Sequence, residues 1–262
     1  FDAGLKYFEN AIRLLPADHS KTNLQQTIDI YASAAECTYV TMDRDRMDKY
    51  CSAIFKFECP MLMKIRAYHI LINVHLEYTG EDSGSKAVDL CFLVLKELGV
   101  EFPKTNVGQT FSTIRGMVNA KLTASELANR PASEYKITND PTENAIAKTL
   151  SLLSSAAYSS CKEMFPLIMM KGLKRTITYG VAERSPPFIA TQAIIVGYFL
   201  GDFESGRKLG ETALQLLKLR DCRPCESRTM YTVFVAVLHW SRSFKDLLEP
   251  FMQSYQIGMS TG

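Results

Sequence analysis

GYFLGDFESGRKLGETALQLL, residues 197–217, is the stretch on which the fold turns. Gly201 and Asp202 interrupt it with a short turn, the residue types that punctuate helices. Beyond the turn, Gly206, Gly210 and Ala213 recur four and three residues apart and so share one face of a helix. Small side chains on that face let an antiparallel neighbour approach closely. The stretch predicts one helix, a tight turn and a second helix packed back on the first.

The same offsets recur along the chain. Gly4, Phe8, Ala11 and Pro16 open it, and Met47, Cys51 and Ile54, then Ala87, Cys91 and Val94, repeat the spacing. YTGEDSGSKAVDLCFLVL has the helix–turn–helix form again around Gly80. The first two intervals, 43 and 40 residues, exceed the roughly 34-residue tetratricopeptide period, so the repeat is tetratricopeptide-like. Such units leave an apolar face for the next unit to cover.

Elsewhere apolar residues also keep helical spacing, as in Leu24, Ile28, Tyr31 and Ala35, or Leu90, Val94, Leu95 and Leu98. YTVFVAVLHW (residues 231–240) is rich in β-branched and aromatic residues, but its helical neighbours favour a buried helix over a strand. Asp140, Pro141 and Glu143 compose a helix start with a capping box. Ser185 before Pro186 marks another start, and Gly99 followed by Pro103 an end. The expected fold is all-α: antiparallel helix pairs stacked as a tetratricopeptide-like superhelix. The pattern weakens over 104–139, which is expected to be an irregular connector or insertion between helical blocks at 1–103 and 140–262. The opening FDAGLKYFENAIRLLP reads as a helix already under way, so the chain is expected to be a piece of a longer one.

Composition narrows the function classes. Of 262 residues 47% are hydrophobic, enough for a packed core. Thirty basic and 28 acidic residues leave a net charge of +2, without the one-signed field of a nucleic-acid or membrane-surface binder. The longest mainly apolar stretch, residues 188–201, falls short of the roughly 20 residues of a membrane-spanning helix. No basic-then-apolar leader opens the chain, its seven cysteines lack framework spacing, and no N-x-[ST] acceptor occurs. A reducing, cytoplasmic setting is expected, with no nucleic acid and no membrane as partner.

Motifs that could carry chemistry each have a plainer reading. GEDSGSK (residues 80–86) misses phosphate-loop spacing and reads as a turn between helices. Cys222 and Cys225 have C-x-x-C spacing, yet no second half of a zinc site or thioredoxin-like βαβ setting accompanies them. Cys37, Cys51, Cys91 and Cys161 sit on apolar stripes as small hydrophobes. His69 and His75 point about 240° apart on a helix and cannot share a metal. Ser151, Ser155 and Ser159 suggest close helix packing, and Asp43 and Asp45 are neutralised by Arg44 and Arg46. No catalytic, cofactor-binding or metal-binding residue is assigned, and the chain is expected not to be an enzyme.

The ordered segments YFENAIRLLP, AAECTYVTMDRDRMDKYC, KAVDLCFLVLKELGVEFP, DPTENAIAKTLSLLSSAAY, FPLIMMKGLKRTITYG and GYFLGDFESGRKLGETALQLL together resemble the helical region of large multidomain signalling ATPases. In that family a protein-kinase-like domain and an AAA- or STAND-type ATPase module precede the helical region, and GAF and histidine-kinase or other output domains follow it. The resemblance implies a non-catalytic protein-interaction and regulatory arm. The family's nucleotide-binding and phosphotransfer residues lie in other domains, and none maps here. The partner is then a protein or peptide, including other domains of the same chain. On the repeat register Glu77, Thr191 and Tyr198 are candidate groove positions. The alternative is a small-ligand sensor with a pocket between the helical blocks, and a third reading is a zinc or redox module at Cys222 and Cys225.

Overall fold

The computed structural model describes residues 1–16, 23–77, 82–103, 105–219 and 221–261. They form twelve α-helices and no strand, with one isolated parallel bridge between Ile137 and Val181, so the chain is all-α. In order these are α1 (Asp2–Leu14), α2 (Leu24–Val40), α3 (Arg44–Phe55), α4 (Met61–Glu77), α5 (Ser83–Glu97), α6 (Asn106–Asn129), α7 (Pro141–Ser160), α8 (Phe165–Tyr179), α9 (Pro186–Ile194), α10 (Phe203–Leu219), α11 (Arg223–Ala236) and α12 (Phe244–Thr261). No helix among the described residues is long and apolar enough to cross a membrane.

Two compact units emerge. The first comprises Phe1–Val100 with Ser155–Ser160, the second Glu101–Ser154 with Cys161–Gly262. In the first, α1 packs on α2, α2 on α3 and α4, and α4 on α5. Leu5, Ile28, Ala32, Ala35, Met47, Cys51, Ile54, Ala67 and Ile70 form its core, so the repeat positions Met47, Cys51 and Ile54 face inward as their spacing predicts. The turn expected at Gly80 falls partly outside the described residues; within it, Ser83 Oγ donates to the His75 carbonyl at 2.8 Å and seats the start of α5.

Helix ends explain why these segments stop where they do. Asp43 caps α3 by accepting from the Arg46 N–H at 3.1 Å. Gly99 takes φ +77°, its N–H donates to the Lys96 carbonyl and the Val100 N–H to that of Leu95, a Schellman closure of α5. Asp140 caps α7, accepting from Thr142 N–H at 2.7 Å, but the expected capping box does not close. The Asp140 N–H is taken by Thr138 Oγ1, and Glu143 turns instead to a half-buried, two-pronged ion pair with Arg175 of α8. Pro186 begins α9 as expected, with Ser185 Oγ accepting from the Ala182 N–H.

In the second unit consecutive helices pair from α8 to α12, and α6 lies against α8 and α10. The 104–139 stretch, expected to be irregular, instead carries the 24-residue helix α6, capped by Thr105 accepting from Gly108 N–H. Its pattern reads weakly because small residues, Ala120, Ala124 and Ala128, face inward while larger apolar ones face out. This inverts the usual amphipathic signal.

The opening turn of the sequence argument appears at Gly201, which takes φ +74°, and Asp202 caps α10 through the Ser205 N–H at 3.0 Å. Helix α9 runs on as a π turn over Ile195–Phe199. There its backbone meets α10 directly: a Cβ on Gly206 would lie 2.8 Å from Gly197 Cα and 2.9 Å from the Ala193 carbonyl oxygen. A mid-helix Gly→Ala change ordinarily gains about 1 kcal/mol of helix propensity. Here backbone would have to yield, and Gly206→Ala should cost about 1–3 kcal/mol net. Gly4 holds the equivalent offset in α1, where a Cβ meets Cys37 Sγ at 3.6 Å, an ordinary contact; Gly4→Ala should be neutral to stabilising by up to about 1 kcal/mol. Denaturant midpoints of the two variants should move in opposite directions.

Burial also sets an alkaline limit. It pushes the Cys51 and Cys91 thiols from 9.0 up to about 12, and with Glu9 it pushes Tyr50 from 10.0 up to about 12. Raised folded-state values mean this stability is complete below the unfolded values and is lost as pH climbs through about 9 to 12. Equilibrium unfolding at pH 8, 10 and 11 should show falling stability, with a smaller fall in Tyr50→Phe and Cys51→Ala.

Candidate functional site

The residues considered for chemistry are held as structure. Cys222 and Cys225 are buried at the start of α11; the Cys225 thiol is hydrogen-bonded to Cys222 and donates to the Glu183 carbonyl at 3.4 Å. The bond with Cys222, then burial, drives its pKa far upward, the opposite of a reactive thiolate. His69 is buried, while burial and then Lys86 and Arg44 hold His75 below the ordinary histidine value. Among the described residues no three His, Cys, Asp or Glu side chains are grouped to hold a metal.

The serine stripe on α7 is divided. Ser151 is buried, Ser155 and Ser159 are exposed, and Ser154 completes the inward face. Arg228 of α11 reaches this face, its Nη2 donating to Ser154 Oγ at 2.9 Å. Burial keeps the pKa of Arg228 below arginine's usual value. Glu143 and Arg175 border a cavity of about 10 Å³ with Ile146, Leu150, Thr176 and Phe188, room for about one water molecule.

The three groove candidates have different fates. Glu77 is exposed at the end of α4, in the first unit, and accepts from the Tyr39 hydroxyl. Burial, then Glu77, raises that phenol above its usual pKa. Thr191 is not a surface position: α9 is buried on all sides, and the Thr191 hydroxyl donates to the Pro187 carbonyl at 2.9 Å. The repeat register grouped it with Tyr198, but α9 is enclosed while Tyr198 lies within the π turn that follows it. Tyr198 lies in the second unit and points to solvent.

Around Tyr198 the fold assembles an aromatic surface that the sequence does not show. Tyr198 meets Phe199 with ring centroids 5.2 Å apart and Trp240 at 6.3 Å; Phe203 meets Trp240 at 5.7 Å and His239 at 4.3 Å from the same indole is its flank. Tyr198, Phe199, Phe203 and Trp240 are between 50% and 64% exposed. They come from the π turn, the first residue of α10 and the 3₁₀ turn Leu238–Trp240 after α11. The expected helix over 231–240 holds to Ala236 but is buried only in part, with Val233 and Phe234 inside and Tyr231 and Val235 exposed, and its final tryptophan turns outward. Beside the rings, Arg207 pairs with Glu204 at 2.7 Å and Glu211 at 2.9 Å, and Arg242 with Glu211 at 3.1 Å. These charges are paired beside the rings, and large aromatics of this kind dominate protein interfaces.

Comparison with protein-family models, with curated proteins and with solved structures finds no match.

Trp240 is the only tryptophan of the chain, so its fluorescence reports on this surface alone. Emission should be that of a water-exposed indole and iodide should quench it freely. Tyr198→Ala and Phe203→Ala should alter the quenching while changing stability by no more than about 0.5 kcal/mol; a blue, protected emission would contradict the exposed cluster.

Proposed function

We propose that this chain is a non-catalytic, tetratricopeptide-like protein-interaction and regulatory arm, working within a larger signal-transduction ATPase or kinase of the class that its segment order resembles. The observation that carries the reading is the exposed cluster of Tyr198, Phe199, Phe203 and Trp240. Tryptophan and tyrosine left in water at the ends of packed helices lower solubility unless a partner covers them. The neighbouring ion pairs form a polar rim around an aromatic centre, the anatomy of a contact that forms and dissolves. A protein or peptide fits such a surface, including another domain of the same chain.

The test uses the chain and its Tyr198→Ala/Phe203→Ala variant as baits in parallel, followed by titration of each captured protein against Trp240 emission. A partner bound at this surface should lose at least tenfold in affinity in the variant, about 1.4 kcal/mol, and should shift the emission of the wild type to the blue. Equal capture by both baits would remove the aromatic cluster from the reading. Nucleotide hydrolysis by the purified chain would overturn the non-catalytic reading, and a small molecule retained through purification would replace it with the ligand-sensing alternative.

A further inference from the structure

Helix α6 presents a second, separate surface. Val107, Phe111, Ile114, Val118 and Leu122 are from 55% to 80% exposed. At about 100° per residue they fall within roughly 80° of the helix circumference, and their spacing of three and four is that of interdigitating helices. The opposite face is engaged: Ala120, Ala124, Leu127 and Ala128 are buried, and a Cβ on Gly116 would lie 2.4 Å from Met170 Sδ. The stripe is therefore the outer surface of a helix already fixed in place. Between Asn106 and Ala120 the only charged residue is Arg115, a depletion typical of interface centres.

The spacing is self-complementary. Reversing the helix about a point between Ile114 and Arg115 sets Val107 against Leu122 and Phe111 against Val118, with Ile114 beside its own copy. A large side chain meets a smaller one at each pair, and one twofold axis satisfies them all. Their exposed area is on the order of 600 Å² per copy, so a pair covers up to roughly 1,200 Å², the low end of specific association. We propose that a second copy of this chain occupies the stripe, the two α6 helices packing antiparallel about a twofold axis at Ile114.

The register brings Arg115 close to its own copy, which gives the proposal a sign. Like charges near the axis weaken the pair at low salt, so association should strengthen as ionic strength rises. An acidic partner would behave oppositely. Sedimentation of the chain over a wide concentration range should show a monomer–dimer equilibrium in the micromolar range. It should tighten severalfold in 0.5 M salt and in Arg115→Gln, and weaken at least tenfold in Ile114→Glu. All these side chains are exposed, so thermal unfolding of the variants should match the wild type. Phe111→Lys and Val118→Glu should each weaken self-association, and mixing the two should recover a heterodimer, since position 111 faces 118 of the other copy.

A chain that stays monomeric throughout, or a dimer indifferent to Ile114→Glu, overturns the proposal. Failure of the charge-swapped mixture overturns the antiparallel register. Sedimentation of the chain with neutral phosphatidylcholine vesicles, lost in Ile114→Glu, would assign the stripe to lipid and also overturn it.

Discussion

The direct contact between the backbones of α9 and α10 governs the second unit. Gly206 brings two helices together where its own Cβ would strike the backbone of Gly197 and Ala193, while a Cβ on Gly197 would meet Gly206 Cα at an ordinary 3.7 Å. With the axes so close, the connection has to reverse within Leu200, Gly201 and Asp202, and the left-handed turn at Gly201 together with the Asp202 cap makes that possible. The aromatic residues on either side of the reversal, Phe199 and Phe203, then have no interior to enter. Phe203 emerges beside Trp240 and Phe199 beside Tyr198, so the packing that makes the core tight also puts the rings in water.

Much of this was legible because it rests on local chemistry. Glycine at a helix end, aspartate before a helix and small residues three and four apart each have a short-range cause, and Gly99, Asp140, Gly201 and Gly206 behave accordingly. What escaped depends on contacts distant in sequence. Tyr198 and Trp240 are adjacent only because α10 and α11 return the chain to the same place. Thr191 was misplaced because α9 is enclosed on all sides, which a repeat register does not reveal. Helix α6 was missed because its larger apolar side chains face solvent, the reverse of the pattern by which helices are recognised.

Several arginines are paired locally. Arg46 serves Glu9 and Asp43, Arg66 serves Glu36 and Asp29, Arg175 serves Glu143, and Arg207 serves Glu204 and Glu211. A chain with nearly equal numbers of acids and bases carries little net charge beyond these local pairs.

The π turn at Ile195–Phe199 is an α-helix carrying one residue more than its ladder needs, as the bond from the Leu200 N–H to the Ile195 carbonyl shows. Loss of a single codon there would return the segment to regular winding and leave Leu200 and Gly201 facing as they do, because the π turn takes up that residue without advancing the helix. The buried run from Pro186 to Ala193 lies upstream and would keep its packing. Tyr198 and Phe199 thus occupy a stretch where one residue can be gained or lost without turning the chain on either side of it.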